Sequence, residues 1–165
     1  MAKPKLLTAA ELMQKKFEPK FNNRFLFEID GIPSFLCSTG ARPSVSIDSV
    51  EIPYLNVVRK LSTGKPTFDD ISITLHDPIE ESGVHIVMNW LYQHVEITTG
   101  RSGYSDIYKK DITLNILGSA GDIIEKWIYH NCHLTSTNFG DLDWSGADVM
   151  NIELSFAYDY PELIY

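Results

Sequence analysis

Apolar and polar residues alternate with a period of two through most of this chain, and one stretch breaks the rule. Phe25, Phe27 and Ile29 alternate with mostly polar neighbours in Arg24 to Asp30, which predicts a strand with one buried face. Gly31-Ile32-Pro33 reads as a turn, and Ser34 to Ser38 reads as the hairpin partner of that strand. Ser44 to Leu55 is extended and β-branched, with Pro53 demoting its far end to an edge or a projecting arm. Asn56 to Thr67 carries Arg59, Lys60, Gly64, Lys65 and Pro66 and reads as an exposed loop or a long hairpin tip. Ile71, Ile73 and Leu75 then alternate with Ser72, Thr74 and His76, another half-buried strand.

The exception is helical. Asp77 is placed as an N-cap, with Pro78 at the first helical position and Glu80 at the third. Val84, Val87, Met88, Leu91 and Val95 fall on one apolar stripe, and Gly100 closes the segment. A one-sided helix over about 78–98 must lie on a sheet. The β pattern then resumes with Ile112, Leu114 and Ile116 against Asp111, Thr113 and Asn115, a turn at Gly118 to Gly121, and a strand from Ile123 to Cys132. Met150, Ile152, Leu154, Phe156 and Tyr158 alternate with Asn151, Glu153, Ser155, Ala157 and Asp159 in the clearest strand of the chain. Seven or eight strands and one main helix, with no βαβ alternation, predict a mainly β fold of antiparallel sheets, barrel-like or sandwich-like.

Charge divides the chain into two regions. Residues 1–24 hold six basic groups (Lys3, Lys5, Lys15, Lys16, Lys20, Arg24) against Glu11 and Glu18, while the rest carries eight basic and 20 acidic residues. Thr8-Ala9-Ala10-Glu11 has the capping-box form, so residues 1–23 are expected to be a basic arm with a short helix. Residues 24–165 are then a single β domain. A body this acidic disfavours tight nucleic-acid binding. The sequence has no apolar run of the ~20 residues a membrane helix needs, and no signal peptide is visible. Synthesis and folding in the cytosol are expected. At 44% hydrophobic and 22% charged, the composition is that of an ordinary folded domain.

Candidate chemistry is sparse. Cys37 and Cys132 have neither metal nor disulfide-framework spacing and read as small apolar residues. His130 and His133 are three apart, which on a strand places them on opposite faces. Gly64-Lys65-Pro66-Thr67 resembles the end of a phosphate-binding loop, but Arg59 stands where a glycine is required and Pro66 separates lysine from threonine. Asp141-Leu142-Asp143-Trp144-Ser145-Gly146 opens like a calcium loop, yet Ile152 occupies the position of its bidentate glutamate. Asp69-Asp70 has no evident partner for acid–base work. The expectation is a protein without catalytic residues, metal or cofactor.

Taken in order, several segments resemble the tail tube proteins of contractile-tailed bacteriophages. They are Phe25-Leu26-Phe27-Glu28-Ile29, Ile52-Pro53 with Arg59-Lys60, and Thr67-Phe68-Asp69-Asp70 opening a strand. Trp90 in the helix, Tyr108-Lys109-Lys110 before the next strand, and Trp144 ahead of a strand ending Ala157-Tyr158-Asp159-Tyr160 complete the set. The resemblance spans roughly residues 24 to 160, whereas the preceding arm is longer and more basic than the family pattern. It implies a β-barrel-like subunit with a flanking helix, assembling as hexameric rings that stack into a tube inside a contractile sheath. Related subunits serve type VI secretion and extracellular injection systems. The implied partners are further copies of the chain, the tail sheath protein, and baseplate and tail terminator proteins. DNA would pass through the lumen without specific binding, and the implied location is the tail tube of the virion.

Within that resemblance, the segment about 44–67 is the candidate for ring-to-ring and subunit contact, with Val57, Val58, Arg59, Lys60, Leu61, Phe68, Asp69 and Asp70 as contact residues. Asp111, Thr113, Asn115, Asn151, Glu153, Ser155 and Asp159 are expected to face the channel, on the wet side of half-buried strands. A tube initiator or terminator, an injection-system tube subunit, a monomeric β-sandwich binding module and a hydrolase with an unrecognised site remain the alternatives.

Overall fold

A computed structural model of the chain describes residues 18–80 and 82–165; the helix expected over Thr8 to Lys16 lies outside them. Among the described residues there are nine strands: β1 Phe25–Ile29, β2 Cys37–Thr39, β3 Val45–Tyr54, β4 Val57–Phe68, β5 Ile71–His76, β6 Lys110–Leu117, β7 Ile123–Asn138, β8 Asn151–Ala157 and β9 Tyr160–Leu163. Helix α1 spans Gly83–His94, and a single turn, α2, spans Ser105–Tyr108.

Seven strands form one curled antiparallel sheet in the order β1-β6-β7-β8-β5-β2, with β9 added beside β7. Strand β7 makes the curl possible. Its first half, up to Cys132, pairs with β6 and β9, and its second half, from His133, pairs with β8. Asn131 sits between the halves at φ 57, a left-handed conformation that Asn tolerates better than branched residues, and the register shifts beside it. The strand thus turns a corner and closes two sheet halves over one core. Phe27, Ile29, Ile112, Leu114 and Tyr129 line one side; Ile71, Ile73, Leu75, Ile152, Leu154 and Phe156 line the other.

Strand β1 pairs with β6 through Phe25↔Ile116 to Ile29↔Ile112, and not with Ser34 to Ser38. Pro33 and the 3-10 turn Ser34–Leu36 carry the chain away, so the expected local hairpin shrinks to one bridge, Ile29↔Ile32. The chain next becomes β2, at the far edge of the sheet beside β5. Gly40 follows it closely over the Phe27 ring: a Cβ there would stand 2.1 Å from Phe27 Cε2.

The helix begins later than the start signal suggests. Asp77 lies outside it and caps it through space, its Oδ1 accepting Gly83 N–H at 2.9 Å and Ser82 Oγ–H at 3.2 Å. Gly83, Val87 and Trp90 are the buried positions, rather than the whole Val84-to-Val95 stripe. Gly83 allows close approach to Ile152, and Trp90 stacks on Phe156 at 5.4 Å, so α1 covers the apolar side of the β5–β8 half. Trp90 Nε1–H donates to the Tyr108 carbonyl at 2.7 Å, tying α2 to α1.

Replacing Trp90 with Ala removes this keystone and is expected to destabilise the fold by about 3–5 kcal/mol, with Trp90→Phe retaining much of the stability. Denaturant melts of both variants test this; an unchanged midpoint for Trp90→Ala would contradict the packing described.

Candidate assembly surface

Strands β3 and β4 form a separate antiparallel ribbon, paired from Val45↔Phe68 to Tyr54↔Val57 and outside the main sheet. The segment expected to be a loop or hairpin tip is a full return strand, because Leu55 and Asn56 make the turn, Leu55 at φ 52. From Val45 to Thr67 every residue is exposed, including nine large apolar side chains, and Leu55 at the tip is 92% exposed.

The ribbon has a defined inner order. Asp48 faces a three-residue bulge, Thr63 to Lys65, in which Gly64 adopts φ 70 and Thr63 Oγ1–H donates to the Asp48 carbonyl at 2.9 Å. The apolar side changes face across this bulge. Near the base, Val45 and Ile47 share a face with Phe68 and Pro66; beyond it, Val50, Ile52, Tyr54, Val57 and Leu61 occupy the opposite face. Phe68 anchors the base against Tyr158 at 5.8 Å. Glu51 and Lys60 pair at 3.0 Å on the distal polar face, and Arg59 lies over the Tyr54 ring at 5.1 Å. Such exposed pairs contribute at most about 1 kcal/mol. Asp69 and Asp70 are exposed at the junction with β5, where Asp70 accepts Thr135 Oγ1–H at 3.0 Å.

The residues expected on a channel wall divide into separate groups. Asn151, Glu153 and Ser155 share the outer face of the β5–β8 half with Ser72, Thr74 and His76, their direct partners in β5, and with Ser136 and Asn138 of β7. His76 Nδ1 lies 2.8 Å from Asn151 Oδ1, and the hydroxyls of Ser72 and Ser155 are 3.4 Å apart. Asp111 and Thr113 stand on the other sheet half. Asn115 departs from the expectation that it is wet: it is 2% exposed and its Nδ2–H donates to Glu28 Oε1 at 2.7 Å, because the cross-strand carboxylate covers it. Asp159 follows β8 and accepts from Lys109 at 3.2 Å and Asn131 at 2.8 Å.

Two ionisable groups sit inside polar clusters that sequence alone does not reveal. Glu125 is buried beside Lys20, Arg42 and the Trp127 N–H. Burial would raise its carboxyl, but the hydrogen bonds from Lys20 and Trp127 and the two positive charges hold it below its usual value. His133 packs edge-on against His94 and Tyr108, which stack on each other at 4.2 Å. Burial, then the charges of His94 and Lys109, pushes the His133 imidazole down, against Asp159 and Asp70. His130 instead contacts Asp111 and Glu162 at 3.3 and 3.0 Å, so the two histidines serve separate environments. Burial raises the Cys37 and Cys132 thiols to about 11 and about 12, and both are free. Among the described residues no three His, Cys, Asp or Glu side chains converge as a metal site would require. No helix among the described residues is long and apolar enough to cross a membrane.

No protein-family model matches the chain and no curated protein matches it by sequence. Solved structures do match its fold. The tube terminating cap of the anti-feeding prophage superposes with a TM-score of 0.71 at 15% identity, covering 94% of this chain and 98% of that one. A sheath/tube terminator structure of the extracellular contractile injection system PVC, in the extended state, gives 0.71 at 18% identity over 90% and 99% of the two chains. A chain of the sheath–tube complex of the same system gives 0.69 at 17% identity over 95% and 98%. The chain therefore has the fold seen in tube, cap and terminator structures of contractile injection systems.

The His133 cluster predicts a pH dependence. Its imidazole binds a proton less readily folded than unfolded, so its contribution to stability is present above about pH 6.5 and declines as pH falls below it. The Glu125 contribution is lost only at lower pH, below the ordinary carboxylate value of about 4.5. Melting temperatures measured across both windows should show two falls, and His133→Phe should remove the upper one alone. An upper fall that survives in this variant would place the titration elsewhere.

Proposed function

We propose that the chain is a structural subunit of a contractile-tail tube, assembling as hexameric rings that stack into a conduit. The observation that carries this reading is the exposed β3–β4 ribbon on a body with the tube fold. An isolated two-stranded ribbon is only marginally stable in water. One with apolar residues on opposite faces above and below a bulge invites a neighbour on each side. Rings also remove the exposed sheet edges at β1 and β2, which otherwise attract uncontrolled pairing.

In this reading the channel wall is the face bearing Ser72, Thr74, Ser136, Asn151, Glu153 and Ser155. Small hydroxyls and a carboxylate give passing DNA phosphates no cation to hold, and Glu153 repels them. The helix α1 lies behind the same strands and would face outward toward a surrounding sheath. The subunit would work by shape and surface, with sheath, baseplate and terminator proteins as neighbours and the tail of a phage-like particle as its location.

A second reading, a cap or terminator subunit of such a tube, is favoured by the similarity to cap and terminator structures. The two differ in self-propagation. A tube subunit stacks on itself without limit, whereas a terminator stops after one ring.

The ribbon supplies the test. Removing Val57 to Lys65 should leave a cooperatively folded subunit, read by circular dichroism, while negative-stain microscopy shows stacked tubes for the full chain and none for the shortened one. Tubes of full length from the shortened chain would overturn the role given to the ribbon. A chain that remains monomeric at every concentration, by light scattering, would overturn the proposal itself.

A further inference from the structure

The ribbon leaves the subunit at one end of the β5–β8 half, and a second exposed element leaves at the other. Phe68 is followed by β5, whose first residue, Ile71, pairs with Phe156 near the end of β8. At the opposite end His76 pairs with Asn151, and the loop joining β7 to β8, Phe139 to Met150, emerges there. Six paired residues separate the two ends by about 17 Å at the rise of a strand.

This loop has the complement of the ribbon's chemistry. Trp144 is fully exposed at 105% of its reference area and Leu142 is 82% exposed, with Val149 also outside any core. The Asp143 carboxylate accepts Ser145 N–H at 2.9 Å and Ser145 Oγ–H at 2.7 Å, which fixes the turn beside the indole. Asp141, Asp143 and Asp148 are the charged residues between Phe139 and Met150, so the loop is uniformly acidic. On β4, Arg59, Lys60 and Lys65 are all basic and all exposed, beside Val57 and Leu61.

We propose that the Asp141–Val149 loop is the receptor for the distal β3–β4 ribbon of the copy in the next ring, an inference that rests on the stacked-ring reading above. Unlike surfaces at opposite ends make a heterologous contact, and such a contact propagates as long as its rotation does not close. Loop against loop would oppose six carboxylates with no cation among them, whereas the ribbon carries Arg59, Lys60 and Lys65 against Asp48 and Glu51, so charge favours loop against ribbon, the head-to-tail pairing. Trp144 supplies the large apolar contact that anchors it, a residue type enriched where binding energy concentrates.

The test uses full-length chains with the charge at one end reversed. Asp141→Lys with Asp148→Lys reverses the loop and spares the Asp143 turn; Arg59→Glu with Lys65→Glu reverses the ribbon and spares the Glu51–Lys60 pair. Each variant alone should form rings but lose stacking, with mean tube length reduced on the order of tenfold. An equal mixture should regrow tubes, since loop-reversed and ribbon-reversed rings then alternate with matched charges. Trp144→Ala should shorten tubes without affecting rings. Long tubes from both the loop-reversed and Trp144→Ala chains would overturn the inference, and so would arrest of each variant without rescue by mixing. Either result leaves the stacked-ring reading standing so long as the unaltered chain still forms stacked tubes. An unaltered chain that stays monomeric at every concentration would defeat the reading beneath it.

Discussion

A ribbon of two strands cannot bury its own side chains, and the account of this protein turns on that constraint. The β3–β4 ribbon, its turn included, holds nine large apolar residues that are exposed, with no other described strand or helix packed over them. At about 25 cal/mol per Å² of apolar area, covering even part of this surface would yield several kcal/mol per contact. In the main domain the most exposed apolar side chains are in loops, Trp144 and Leu142 among them, and not in the core. Its core is closed by the corner in β7 and by α1, and its outer strand faces are mostly polar. Apolar surface left uncovered in the single chain is thus greatest on the ribbon, with a smaller share on the β7–β8 loop.

The same division explains how one sheet half serves two environments. Ile71, Ile73, Leu75, Ile152, Leu154 and Phe156 pack against the other half and against Trp90, while the alternating positions Ser72, Thr74, Asn151, Glu153 and Ser155 stay outside. Covering the apolar side with a helix leaves the polar side free for water, as the proposed conduit wall requires. Asn115 shows how local the rule is. Its strand alternates too, yet Glu28 of β1, diagonal to it in the ladder, accepts its amide N–H and covers it.

Much of the fold was legible as alternation. Strands β5 and β8 follow it through Ile71–His76 and Asn151–Ala157 because each has one fully buried face. Features set by distant partners were not. The partner of β1 is β6, some 85 residues away, and Pro33 diverts the nearer candidate. Asp77 caps α1 across a loop, so the start signal was displaced by several residues. Strand β4 looked like a loop because its lysines, glycine and proline are poor strand residues; cross-strand pairing with β3 overrides them. Strand β9 was missed since Pro161 argues against a strand, yet an edge tolerates it. The Glu125 and His133 clusters have no linear signature at all, since Lys20, Arg42, His94 and Tyr108 reach them from separate elements.

Hydrogen exchange of the β3 and β4 amides, followed from dilute to concentrated protein, tests the central claim most directly. The account predicts rapid exchange in the dilute subunit, where both faces of the ribbon are wet, and strong protection that appears as the protein associates, while core amides of β7 and β8 stay protected throughout. Ribbon amides already protected as firmly as the core in a dilute monomer, or still unprotected in the associated protein, would contradict it.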